Sequence, residues 1–198
     1  MSAVILASAS PARAAMLREA GVMAETMPAR VDEDAIKQSF RAEGIAPRDL
    51  ADALAEAKAK RISAAHPEAL VIGADQVLVT GGDVFDKPRD MAEAREQLRH
   101  LRGGSHELLS AAVILEGGAP IWRHIGAARL TMRPFSDAFL DAYLEAEGDA
   151  VLSTVGGYRI EGRGAQLFSR VSGDYFSILG MPLLEVLGFL RARKVLVE

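Results

Sequence analysis

The chain opens on a short apolar run, Val4 to Ala7, of the kind a covered strand shows, and then changes period. From Pro11 onward Ala14, Ala15, Leu17 and Ala20 suit a helix running to Gly21, with Ser10 as its N-cap and Pro11 at the first helical position. "GVMAETMPAR" looks extended, and the acidic "VDEDAIKQSF" predicts a helix start with Asp32, Glu33 and Asp34 near its positive end. "RDLADALAEAKAKRISAAH", rich in alanine and leucine and ending before Pro67, predicts a strong helix. "ALVIGADQVLVT" is the best strand, closed by a "TGGD" turn. Another helix follows Pro88, with Leu98 and Leu101 among its apolar positions. "HELLSAAVILE", the "GGAP" turn and "IWRHIGAARLTM" predict a hairpin of long strands. Helices at "SDAFLDAYLEAE" and "LLEVLGFLRAR" flank a glycine-rich segment, "VGGYRIEGRGAQLF".

Helices and strands alternate without a linker, repeat or low-complexity tract. That favours an α/β fold with a mixed sheet, because a hairpin is antiparallel while helix-connected strands can be parallel. With 198 residues, 49% hydrophobic and 25% charged, the chain can bury a substantial core and is most simply one domain spanning 1–198, with room for two lobes.

Charge and composition narrow the chemistry. A formal net charge of −4 gives no general attraction to nucleic acid or to an anionic membrane, so a phosphate ligand has to be held by a local cluster of basic residues. The absence of cysteine excludes a disulfide framework, a thiolate zinc site and a cysteine nucleophile together. His66, His100, His106 and His124 lack the HxH and HExxH spacings of a histidine metal site. "MSAVILASA" imitates a signal peptide only faintly, lacking basic residues before a very short apolar run, and "ALVIGADQVLVT" is too short to span a bilayer and is interrupted by Asp75. A soluble, cytoplasmic protein is expected, with neither nucleic acid nor membrane as partner.

The strand-to-helix junction at Ser8 and Ser10 leaves backbone N–H groups and the positive end of a helix dipole facing the space above the strand, where Arg13 can join them. That outlines an anion site, and its plain alternative is an ordinary capped helix with a surface arginine. Asp75 is the most informative single residue. A carboxylate among "LVIGA" and "VLV" is costly unless it meets a cation, a donor or water in a cleft. Gly73 and Ala74 have little bulk and let another group approach the backbone. Taken singly, Lys87 in "FDKP" reads as a solvated turn lysine, Lys58 as an exposed helix residue and Glu33 as a helix-terminus acid. Together the chain offers two carboxylates suited to a hard divalent cation, Glu33 and Asp75, and three cations, Arg13, Lys58 and Lys87. Magnesium held by one or two carboxylates plus substrate phosphates matches that inventory.

In order and approximate spacing, "LASASPARAAML", "VDE", "LAEAKA", "IGADQVL", "DKP", "LRGGSHEL", "RIEGRGAQLF" and "GMPL" resemble the Maf family of nucleoside triphosphate pyrophosphatases over essentially the whole chain. The resemblance implies a two-lobed α/β protein around a mixed, strongly twisted β-sheet flanked by helices, commonly a homodimer. It also implies hydrolysis of a nucleoside triphosphate to monophosphate and pyrophosphate with a divalent metal, Mg²⁺ or alternatively Mn²⁺ or Co²⁺. By this resemblance Ser8, Ser10 and Arg13 match the N-terminal phosphate-binding motif, Glu33 and Lys58 the next two motifs, Asp75 the catalytic aspartate and Lys87 the lysine before proline. Many members carry two arginines after the N-terminal proline, and here the first is replaced by Ala12. The implied mechanism holds the metal with Glu33 and Asp75, uses Asp75 on the attacking water and sets Lys58 and Lys87 against the departing pyrophosphate.

Ile160-Glu161-Gly162, with Gln76 and Ala12, looks more like the branch acting on 7-methyl-GTP than like the "IQG" branch acting on dTTP and UTP. A carboxylate at 161 accepts from both N1–H and the exocyclic amine of guanine, although Glu161 also has Arg159 and Arg163 as neighbours to pair with. A pyrimidine preference or a broader modified-nucleotide preference is the alternative, and a nucleotide-binding cell-division regulator with incidental hydrolysis is a reading from another class.

Overall fold

A computed structural model describes residues 3–197. In chain order it contains β1 (Val4–Ala7), α1 (Pro11–Glu19), β2 (Ala24–Thr26), α2 (Glu33–Glu43), α3 (Pro47–Ser63), β3 (Leu70–Thr80), β4 (Asp83–Phe85) and α4 (Met91–Leu101). There follow β5 (Ser105–Glu116), β6 (Ala119–Met132), α5 (Asp137–Glu147), β7 (Phe168–Gly173), α6 (Tyr175–Ile178) and α7 (Leu183–Ala192). Three short 3₁₀ turns, Gly148–Ser153, Val155–Gly157 and Arg163–Leu167, occupy the stretch between α5 and β7. The strands form one mixed seven-stranded sheet in the order β2-β1-β3-β5-β6-β7, with β4 paired to β3. β1 runs parallel to both β2 and β3, with Val4 opposite Ala24 and Leu70. β4 and β7 are antiparallel to their neighbours.

Local chemistry sets the element ends. The Ser10 hydroxyl accepts from the Arg13 N–H, and Pro11 takes the first position of α1. Asp32 caps α2, and Gly44 ends it in the left-handed conformation at φ 64°. Pro88 lies before α4 rather than at its first turn: Asp90 is the N-cap, its carboxylate accepting from the Glu93 N–H. The 3₁₀ turns carry the glycine-rich segment, where strand and helix periods both fail.

The chain divides into two compact units, one of Met1–Gln76, Leu109–Gly126 and Asp174–Glu198, the other of Val77–Leu108 and Ala127–Gly173. In the first unit, β1 and the first part of β3 bury Val4, Leu6, Leu70 and Ile72 together with Met16 and Leu17 of α1. α7 adds Leu183, Val186, Leu187 and Leu190, an i, i+3, i+4, i+7 stripe that turns one helix face to that core. In the second unit α4 buries Ala94, Leu98 and Leu101, and α5 buries Leu140, Tyr143 and Leu144. No helix among the described residues is long and apolar enough to cross a membrane.

Candidate active site

The junction between β1 and α1 is tightly organised. Ser8 is buried, and its hydroxyl accepts from the Ser10 N–H at 3.2 Å. Arg13 folds back under this turn instead of reaching outward. Its Nε donates to the Gly180 carbonyl at 2.7 Å, and its Nη1 donates to the Ala74 carbonyl at 3.0 Å and to Ser8 Oγ at 3.2 Å. The guanidinium thus links β1, β3 and the turn before α7. Gly180 permits this approach: its φ is +112°, and a Cβ there would lie 3.3 Å from Arg13 Nε and Nη2. Burial lowers the arginine's pKa, and the charges of Asp75 and Glu33 work in the opposite direction.

Asp75 comes next along β3, two residues after a contact that decides its surroundings. A Cβ on Gly73 would lie 2.0 Å from the Ala55 carbonyl oxygen and 2.8 Å from the Ala59 Cβ, so only glycine lets the backbone of α3 rest on β3 here. Ala51, Ala55 and Ala59 form the face of α3 that makes the approach, all without exposed surface. Lys58, adjacent to Ala59, is thereby delivered to Asp75. Its Nζ lies 2.5 Å from Asp75 Oδ1 and 2.9 Å from Glu33 Oε1. Glu33 arrives as the first residue of α2, and Lys37, one turn further on, lies 3.8 Å from its other oxygen. The Lys58 and Asp75 side chains keep only 12% and 10% of their exposure against 39% for Glu33, so the carboxylate pair has one dry member and one open member.

Five of the nine residues singled out in the sequence therefore form two adjacent groups in the first unit, Ser8 with Arg13 and Glu33 with Lys58 and Asp75, joined where Arg13 binds the carbonyl of Ala74 just before Asp75, and Ser10 caps the helix beside them. Gln76 belongs to the same unit, with its Nε2 3.0 Å from Ser110 Oγ and from the carbonyls of Ser177 and Ile178. Its amide nitrogen is committed to holding β3 to β5 and α6. Lys87 and Glu161 lie in the second unit. Lys87 is exposed between β4 and α4, and the carbonyl of the preceding Asp86 accepts from Gln97 Nε2 at 3.1 Å. Glu161 is exposed, and its Oε1 accepts from Arg159 Nε at 3.3 Å.

The donor set bears on a metal directly. Among the described residues no group of three or more His, Cys, Asp or Glu could enclose an ion. Glu33 and Asp75 nevertheless turn hard oxygens toward one positive charge, the Lys58 ammonium. Two carboxylates with no third protein ligand suit a cation such as Mg²⁺, which keeps waters and takes its other oxygens from phosphates.

The family model for Maf-like proteins matches residues 3–193, and the chain belongs to the Maf family. It is 53% identical over 193 residues to a nucleoside triphosphate pyrophosphatase of Granulibacter bethesdensis, covering 98% of each chain. It is 52% identical over 193 residues to nucleoside triphosphate pyrophosphatase 1 of a Jannaschia species, again over 98% of each chain. A 7-methyl-GTP pyrophosphatase of Rhizobium meliloti is 50% identical over 188 residues, 95% of this chain and 94% of the relative.

Sequence reasoning noted the small size of Gly73 but not that α3 fills the space. It missed Gly180, Gln97 and Lys37 altogether. "GMPL" carried a signal for Gly180, since a glycine before an apolar, proline-containing helix start marks a turn with a special backbone. Gln97 sits on the apolar face of α4, where a polar residue asks for a partner.

Proposed function

We infer that the chain is a nucleoside triphosphate pyrophosphatase, a hydrolase releasing nucleoside monophosphate and pyrophosphate. The observation that carries this is the convergence of Asp75, Lys58 and Glu33 beside a serine-capped helix start in a member of the Maf family. Ser10 and the Ala12 N–H in the first turn of α1 bind phosphate oxygens, where the helix dipole favours negative charge. Arg13 acts from beneath: it fixes Ser8 and the Ala74 carbonyl and places a full positive charge under the turn.

Asp75 orients the attacking water and takes its proton as the water oxygen bonds to the α-phosphorus. The bond from that phosphorus to the bridging oxygen breaks, and its electron pair leaves with pyrophosphate. Lys58 occupies only one Asp75 oxygen, Oδ1, so the carboxylate retains a second acceptor for the water. Lys58 neutralises charge that gathers on the leaving group. Glu33 and Asp75 would hold a divalent cation, Mg²⁺ or else Mn²⁺ or Co²⁺, whose contribution is to neutralise phosphate charge and polarise the phosphorus. A homodimer belongs to the same reading.

For the base, the reading is 7-methyl-GTP, with Glu161 accepting from the guanine edge and the Rhizobium meliloti relative carrying that substrate in its name. A panel of nucleoside triphosphates incubated with the protein and Mg²⁺ tests both levels. Equal amounts of monophosphate and pyrophosphate are expected, with 7-methyl-GTP turned over most efficiently. Release of free phosphate, or binding without turnover, would overturn the activity, and a best substrate of dTTP or UTP would overturn only the base.

A further inference from the structure

The segment between α5 and β7 has no strand partner over residues 148–167, yet three aromatic side chains bracket its second half. Tyr158 is buried, and its Oη lies 2.7 Å from Nε2 of His106, a β5 residue that is itself 2% exposed. The Phe168 ring meets the Tyr158 ring edge-on with centroids 4.8 Å apart and lies 6.0 Å from the His106 ring. Tyr158 and Phe168, ten positions apart, thus close on one histidine. Just before Tyr158 the chain is equally constrained. Gly156, at φ +79°, has no room for a Cβ, which would meet Leu78 Cδ1 at 2.6 Å and Tyr158 Cε1 at 2.9 Å. The Tyr143 hydroxyl donates to the Gly157 carbonyl at 3.4 Å. Beyond Tyr158 a tight turn follows: a Cβ on Gly164 would lie 2.3 Å from the Arg159 carbonyl oxygen. The turn carries Glu161 at its exposed tip, steadied by Arg159, which also lies 3.9 Å from Glu147.

His106 serves no proton transfer in the reaction. Its ring is neutral, since burial lowers its pKa to about 4, and its Nδ1 is buried without a hydrogen-bond partner. A neutral, enclosed imidazole committed to one tyrosine is suited to holding geometry.

We propose that His106 and Tyr158, backed by the Phe168 ring, are a positioning pair for nucleotide selectivity: their hydrogen bond anchors the turn 159–164 and so fixes where Glu161 offers its carboxylate to the base. The inference rests on Glu161 as the base-reading residue. Neither His106 nor Tyr158 touches the nucleotide in this account, and the effect belongs in KM and in discrimination between bases, with kcat preserved.

Tyr158→Phe keeps the ring and deletes only the hydroxyl, and His106→Asn provides a second way to remove the bond if the first variant packs poorly. Wild type, Tyr158→Phe, Glu161→Gln and the double variant are compared by amide hydrogen exchange and by the ratio of kcat/KM for 7-methyl-GTP over UTP. Loss of one buried hydrogen bond is expected to speed exchange at 159–164 by roughly five-fold, leaving the β5 amides of 109–116 unchanged. The selectivity ratio should fall by about three- to ten-fold in Tyr158→Phe through KM, and Tyr158→Phe should add nothing further in the Glu161→Gln background. Unchanged exchange at 159–164 would overturn the proposal, and so would faster exchange with an unmoved ratio. If Tyr158→Phe shifts the ratio while Glu161→Gln does not, the anchor stands and a different residue of the turn reads the base.

Discussion

The two units solve opposite problems with opposite materials. Around Asp75 the first unit gathers Arg13, Lys58 and Glu33 into a set of full charges, partly buried and bound to one another or to backbone carbonyls. Around His106 the second unit gathers Tyr158, Tyr143 and Phe168, all uncharged, with burial raising both tyrosine pKa values. Reacting phosphates carry the charge that a catalytic site has to match, so the first assembly is costly to bury and needs every member. A base would be met by shape and by one or two hydrogen bonds, so under the proposed reading the second assembly needs rigidity and no buried charge. The contrast teaches that charge is concentrated where a bond is proposed to break and kept out of the buried aromatic anchor, with the ion pairs of Arg159 left to the exposed turn.

Breaking the first region should have the largest effect. Asp75→Asn keeps the side-chain shape and an acceptor for Lys58, so the fold and much of the nucleotide binding should survive. kcat for pyrophosphate release should drop by roughly two to four orders of magnitude, the scale of a lost general base. Near-native turnover in that variant would exclude the role given to Asp75.

Arg13→Ala ranks second. It strands the Gly180 and Ala74 carbonyls and removes the buried countercharge to Asp75 and Glu33, for an expected loss of about 3–5 kcal/mol in urea unfolding. Triphosphate affinity should fall far more than nucleoside affinity, because in the proposed site that charge and the turn it supports act on the phosphates alone. An arginine that is merely a surface residue would give a change below about 0.5 kcal/mol.

The third effect sharpens the other side of the comparison. His106 is neutral and buried, with its pKa lowered to about 4 from 6.5. The unfolded chain therefore binds one more proton than the folded chain between those values, and stability falls as pH drops through that window. Its contribution is complete above about pH 6.5 and declines by about 3 kcal/mol on reaching pH 4. Urea midpoints for wild type and His106→Gln across pH 4–8 isolate this slope, which the variant should lack; parallel curves would show that His106 does not titrate on unfolding.

What the sequence revealed follows the same division. β1, α1, α3, β3 and the β5–β6 hairpin were legible because each has a clear apolar period and a capping or turn residue at its end. β7 was not, since five of its six residues, "SRVSG", are exposed on an edge strand and no apolar alternation marks it. α6 escaped because four residues give no period, and only its Asp174 cap hints at a helix. β2 and β4, three residues each, are defined by their neighbours and not by their own composition. Within the site, residue types were legible and convergence was not. Lys58 reaches Asp75 because a helix lies on Gly73, and that approach is a tertiary fact. Arg13 read as an outward phosphate clamp because its partner, Gly180, lies 167 positions away in the chain.

That long link has a consequence for how the protein comes into being. Synthesis proceeds from the N-terminus, so Arg13 leaves the ribosome long before the carbonyl that will hold its Nε. The stripe Leu183, Val186, Leu187 and Leu190, which completes the core against Leu6, Leu17 and Ile72, emerges later still. Until then Arg13 has only its Ser8 and Ala74 contacts, and the apolar sheet face lacks the helix that covers it. Premature termination just before residue 180 would remove few residues yet leave the first unit without its closing helix and Arg13 without its anchor. The proposed phosphate site is therefore among the last parts of the molecule to be finished, although its first residues are among the earliest made.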